Sequence, residues 1–136
     1  MRAIALAVVA VVALAVAASG SAGATAKTSL TITYWETGPG SGDSVRWTLR
    51  CEPTGGTLPR AANACRRLEA GGAKLFAPVP RRAVCTEIYG GPQVARVVGT
   101  VDGRRVWATF SRANGCHISR WARVSPWLLP PGGVAS

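Results

Sequence analysis

Val94-Ala95-Arg96-Val97-Val98-Gly99-Thr100-Val101, then Asp102-Gly103, then Arg104-Arg105-Val106-Trp107-Ala108-Thr109-Phe110-Ser111 is the stretch that decides the fold. Asp-Gly between two apolar, β-branched runs is a hairpin signal, because the tightest hairpin turns need positive φ at both central residues. Val106, Ala108 and Phe110 recur at every second position and so share one face of the second strand. Upstream, Ser29-Leu30-Thr31-Ile32-Thr33-Tyr34-Trp35 alternates in the same way. After a loop over Gly38-Pro39-Gly40-Ser41-Gly42-Asp43, Val45, Trp47, Leu49 and Cys51 alternate with Arg46, Thr48 and Arg50, a strand with one wet face. Gly55-Gly56-Thr57 ends that hairpin.

Between the two hairpins the period changes. From Pro59 to Ala70, the residues Ala61, Ala64, Cys65 and Leu68 fall on one helical face. Pro59 suits the first turn, Thr57 is the expected cap, and Gly71-Gly72 is the stop. Lys74 to Val84 has no period and reads as a connection. Cys116 to Arg123 predicts a short second helix with Ile118 and Trp121 inward, and Trp127-Leu128-Leu129 packs back as a short final strand. The expectation is a small α+β domain, an antiparallel sheet with helices on one side. Trp35, Trp47, Trp107, Trp121 and Trp127 lie in strand or helix patterns, so most are expected in the core.

Residues 1–26 read as a secretion signal. Met1-Arg2 precedes an unbroken apolar run from Ala3 to Ala18, and small-x-small sites follow that place cleavage after Ala24 or Ala26. The run is short for a spanning helix of roughly 20 residues, which argues against an uncleaved anchor. Export leaves residues 27–136 as one domain, extracellular and free of the membrane. The whole chain carries +10, and fourteen of its sixteen basic residues are Arg. With abundant Ala, Gly, Val and Pro, that bias resembles the imprint of a GC-rich genome. Arg66-Arg67, Arg81-Arg82 and Arg104-Arg105 still raise an alternative, a secreted cationic binder of anionic polymers or cell wall. Solvated arginines are the plainer reading, and no nucleic-acid partner is expected.

Four cysteines, Cys51, Cys65, Cys85 and Cys116, in an exported small domain read as two disulfides. Three pairings are open, of which Cys51 with Cys65 and Cys85 with Cys116 is the most local. No C-x2-C pair suits zinc, and neither a metal nor a cofactor is expected. His117 is the one histidine, and a catalytic triad would need it beside Asp43 or Asp102. A solvated or capping role fits it better, and no enzymatic activity is expected. Cys85-Thr86-Glu87-Ile88-Tyr89 is the segment with a chemical reading. If Cys85 is bonded to Cys116, this becomes an extended peptide pinned at one end, and rigidity is what turns a protease substrate into an inhibitor.

Taken in order, these segments resemble the Streptomyces subtilisin inhibitor family from Leu30 to about Leu129. The resemblance rests on the Pro59-to-Leu68 helix with its Ala64-Cys65, on Cys85-Thr86-Glu87-Ile88-Tyr89, on Thr100-Val101-Asp102-Gly103, and on Phe110-Ser111-Arg112-Ala113-Asn114-Gly115-Cys116. It implies five antiparallel strands with two helices, the local disulfide pairing, a homodimer formed through the sheet, and inhibition of serine endopeptidases. It also implies a scissile bond between Glu87 (P1) and Ile88 (P1′). Val84, Cys85 and Thr86 are then P4, P3 and P2, Tyr89 is P2′, and Asn114 supports the loop by bridging backbone on both sides of the scissile bond. Subtilisin-directed members usually carry Met, Leu or Lys at P1. Glu87 therefore leaves the expected target, a serine endopeptidase, open between a subtilisin-like and a Glu-preferring enzyme.

Overall fold

The computed structural model describes residues 26–132. The expected signal over residues 1–26 lies outside them except for Ala26. Among the described residues no helix is long and apolar enough to cross a membrane. Four strands form one antiparallel sheet: β1 (Thr28–Trp35), β2 (Val45–Cys51), β3 (Gly91–Val101) and β4 (Arg104–Arg112), in the order β2-β1-β3-β4. Helix α1 (Ala61–Gly71) packs against the edge strand β2, and α2 (Gly115–Val124) packs against the other edge strand β4.

Register explains the one-sided core. Ile32 stands opposite Trp47 on β2 and Val97 on β3, and Val97 stands opposite Ala108 on β4. Leu30, Ile32, Leu49, Val97, Ala108 and Phe110 thus lie on one face, and all are buried. Ala64 and Leu68 of α1 and Trp121 and Val124 of α2 complete the same cluster. The opposite face carries Thr31, Arg46, Thr48, Arg96 and Trp107, all exposed.

Several expectations are corrected. The described sheet has four strands rather than five. Trp127-Leu128-Leu129 does not form the last one: all three residues are buried, which an alternating strand on one face cannot achieve. The N–H groups of Leu128 and Leu129 both donate to the Val124 carbonyl, at 2.9 and 3.0 Å, so the chain curls over the end of α2. Thr57 does not cap α1, whose cap position is Arg60 with φ of 55°. The Thr57 hydroxyl instead accepts from the Thr48 amide at 3.0 Å and ties the chain back to β2. Strand β3 starts at Gly91, ahead of the alternating run expected from Val94, and a register shift follows between Gly91 and Val94. Residues Ala73–Phe76 make a 3-10 turn that buries Phe76. Of the tryptophans, Trp121 and Trp127 are buried and Trp47 packs at the core margin. Trp35 is half-exposed beside the Arg96 guanidinium, and Trp107 is 76% exposed.

Both disulfides take the local pairing, Cys51–Cys65 and Cys85–Cys116. The first staples α1 to β2 near the hairpin end of the sheet.

A second tie is polar. Arg120 on α2 is buried, with its guanidinium 4.1 Å from the Phe110 ring centroid. Its Nε donates to Ala77 O at 2.8 Å, Nη2 to Phe76 O at 3.0 Å and Nη1 to Thr109 O at 2.6 Å. One planar fork therefore joins α2, the edge of β4 and the 3-10 turn. Burial, and next Arg123, push its pKa down, yet a guanidinium stays charged at neutral pH. Arg120→Ala strands three carbonyls and should lower unfolding free energy by about 3–5 kcal/mol in urea denaturation. Arg120→Lys keeps the charge without the fork and should recover only part of that loss.

Candidate functional site

The segment from Ala83 to Gly90 has no regular secondary structure and crosses from the 3-10 turn to β3. Apart from Cys85, its side chains face outward. Val84 is 99% exposed, Ile88 63% and Tyr89 67%, and Thr86 and Glu87 are exposed as well. Apolar side chains at that exposure contribute nothing to the core, so the fold does not account for them.

The backbone of the segment is held at both ends. On the upstream side Cys85 is bonded to Cys116 in the first turn of α2, with a Cα–Cα distance of 5.2 Å. One residue on, the Gly115 amide donates to Thr86 O at 3.0 Å. A Cβ at Gly115 would run into Thr86 Oγ1, so a side chain there would push the loop away. On the downstream side the Gly90 amide donates to Arg112 O at 2.7 Å, and the Arg112 guanidinium donates to Gly90 O. Arg112 Nη1 also reaches Gln93 Oε1 at 3.4 Å. A Cβ at Gly90 would collide with Ile118, so the loop lies directly on α2 there. Between these clamps Glu87, Ile88 and Tyr89 make no hydrogen bond among the described residues. A space of about 470 Å³ opens beneath the upstream half, lined by Val84, Cys85, Ile88, Cys116, Ile118 and Ser119 among others.

Of the expected site residues, Val84 through Tyr89 come together as one exposed strip, joined to α2 through Cys116. Asn114 sits beside it, but its side-chain oxygen is taken up by the helix: Oδ1 accepts from the His117 amide at 3.1 Å as the N-cap of α2. The direct contact from this corner to the loop is the Gly115 amide. The Thr86 hydroxyl rests against Gly115. His117 has its Nδ1 buried without a hydrogen-bond partner among the described residues. Asp102 lies at the β3–β4 turn, at the other end of the sheet, so the two do not form a catalytic dyad.

Gly90, Arg112 and Gly115 were missed from the sequence. For Arg112 a signal existed: it continues the inward alternation of Val106, Ala108 and Phe110. A charge at a core position asks for buried partners, and here they include the backbone of Gly90 and the Gln93 side chain. Gly115 reads only as a link between Asn114 and Cys116 until its neighbour in space is known.

Fold and site together define a class: a small α+β domain that presents a disulfide-braced peptide strip rather than a cleft. A family model described as subtilisin inhibitor-like matches residues 13–114. The chain belongs to the subtilisin inhibitor-like family. The matched stretch contains Cys51, Cys65, Cys85 and the whole exposed strip, and it ends just before Gly115. Comparison with curated proteins finds no match.

Removing the cap tests how the corner is built. Asn114→Ala should cost about 1 kcal/mol of stability by freeing the first amides of α2. Thermal unfolding should show the loss, and hydrogen exchange should place the extra opening at residues 115–118.

Proposed function

We propose that the chain is a secreted, substrate-like inhibitor of serine endopeptidases whose reactive bond is Glu87–Ile88. The observation that carries this reading is the double clamp, Thr86 held by Gly115 and Gly90 held by Arg112, around three outward residues. An extended peptide enters a protease cleft as an added strand. The enzyme's own serine attacks the Glu87 carbonyl and expels the Ile88 amine. Here neither new end can leave. Cys85 and Gly115 hold the acyl side, and Gly90 and Arg112 hold the amine two residues downstream of Ile88. Religation therefore competes with hydrolysis. Val84 occupies P4, where an apolar β-branched residue suits a hydrophobic pocket, and Tyr89 occupies P2′. Asn114 supports the loop through α2, by fixing the helix start from which Gly115 reaches Thr86. Asn114→Ala should accordingly be cleaved faster than the parent.

Glu87 sets the target. In an apolar S1 pocket its carboxylate must be desolvated, a cost of a few kcal/mol when unpaired. A basic S1 pocket removes that cost, so a Glu-preferring endopeptidase is the better partner. Prolonged incubation with a bound protease should give a single nick between Glu87 and Ile88, read by mass spectrometry. Glu87→Leu should tighten inhibition of an apolar-S1 subtilisin by about 2–4 kcal/mol, or roughly 30- to 1000-fold. Against a Glu-preferring enzyme the order should reverse. Inhibition constants unchanged for both enzymes would remove Glu87 from S1.

The reading includes a homodimer formed through the open face of the sheet, supported by Trp107, which stands 76% exposed there. An aromatic of that size is a strong anchor once covered. Trp107→Lys should sediment as a monomer at concentrations where the parent is dimeric. An unchanged sedimentation coefficient for the variant, or a monomeric parent, would rule out dimerisation through this face.

A further inference from the structure

We propose that Arg81 and Arg82 form a second contact, which docks on carboxylates bordering the non-primed side of the protease cleft and selects targets by surface charge. The inference rests on the inhibitor reading above and extends it to the surface around the cleft.

The doublet is presented, not merely exposed. The Ala83 amide donates to Pro80 O at 3.0 Å, closing a turn with Arg81 and Arg82 at its corner. The segment carrying that turn is fixed on both sides. Arg120 holds the carbonyls of Phe76 and Ala77 upstream, and the Cys85–Cys116 bond holds the chain downstream. Both arginines are exposed, and neither pairs with an acid among the described residues. Val84, the next residue after the turn, is 99% exposed and is P4 in the proposed enzyme contact. Because the chain turns at residues 80–83, it cannot continue the extended strand into the cleft. The arginines therefore meet the rim outside it, at the positions corresponding to P7 and P6.

The other doublets are elsewhere. Strand β3 runs from Gly91, opposite Arg112, to Val101, opposite Arg104. At about 3.3 Å per residue that separates Arg104-Arg105 from the loop end by roughly 33 Å. Arg66 lines a cleft with Lys27 and Asp102 near the same far end. Only Arg81-Arg82 shares the end of the molecule that meets a protease.

The sign pattern then specifies the partner. Glu87 asks for a cationic S1 pocket, whereas a uniformly cationic enzyme would repel the doublet. A matching target carries a basic pocket inside an acidic rim. Exposed charges of this kind act mainly on association rate, and salt removes their effect.

The test compares three proteins: the parent, Arg81→Ala/Arg82→Ala, and Arg104→Ala/Arg105→Ala. The last makes the same change in net charge at the far end. Association and dissociation rates are measured with an inhibited serine endopeptidase that has an acidic cleft rim, and with the same enzyme carrying amides in place of the rim carboxylates. At low ionic strength Arg81→Ala/Arg82→Ala should associate about 10-fold more slowly with the acidic-rim enzyme. Its dissociation rate should be unchanged. The deficit should vanish in about 0.5 M salt and against the amide-rim enzyme. Equal slowing by both doublet variants would make net charge the cause and overturn the inference, as would a deficit that persists against the amide rim. A parent that inhibits none of the enzymes would instead fell the inhibitor reading, and this inference with it.

Discussion

The guanidinium of Arg112 ends the inward row of β4 and is buried, where a cation lacking protein partners would cost several kcal/mol. That constraint shapes the site. The Gly90 carbonyl answers it, and the Arg112 carbonyl in turn takes the Gly90 amide. The last residue of the sheet's edge strand and the first residue beyond Tyr89 are thereby bound in both directions. Whatever keeps β4 in register against β3 also keeps the downstream end of the exposed strip in place. The upstream end depends on a different element, α2, through Cys116 and Gly115. Since α2 packs on β4, the two clamps share one base and cannot drift apart without opening the core.

Fixing that strip before any encounter has an energetic consequence. Ordering a backbone costs on the order of 1–2 kcal/mol per residue. A free peptide of the same sequence meets that cost on entering a cleft and recovers it when the cut ends separate. In the folded chain the cost is met during folding by burial of Phe110, Trp121 and the other core residues. On the proposed reading the gain therefore appears twice, as affinity and as reluctance to release the cleaved strand. Held hydrogen bonds rather than apolar packing suit this role. The outward residues must remain available to a partner, and only their backbone can be restrained.

Much of this was legible in the sequence, for identifiable reasons. Period-two alternation located β1, β2 and β4, because a sheet with one open face writes its two environments into alternate residues. The Asp102-Gly103 turn and the Ala64-Cys65-Leu68 face of α1 were equally plain. What escaped was decided by distant partners. Trp127-Leu128-Leu129 has the composition of a strand, yet its amides are captured by the end of α2. Thr57 has the chemistry of a cap, yet Thr48 reaches it first. Arg112 and Arg120 looked like two more of many arginines, when both are buried, Arg120 on three backbone carbonyls and Arg112 on the Gly90 carbonyl and the Gln93 side chain. The site shows the same division. Its exposed residues were readable as a strip, while the groups that hold it belong to other elements and carry no local signature.

That division has a consequence for how specificity changes within such a scaffold. The restraining groups at residues 85, 90, 112, 115 and 116 are backbone amides and carbonyls, a disulfide and one buried cation. Each answers a geometric demand inside the fold. Glu87, Ile88 and Tyr89 answer none: their side chains are exposed and take no part in the hydrogen bonds that fix the loop. On the proposed reading, a substitution at Glu87 alters what an enzyme meets without altering the restraint on the loop. Family membership speaks for the scaffold, while on the proposed reading the choice of enzyme is written at positions the scaffold leaves unconstrained.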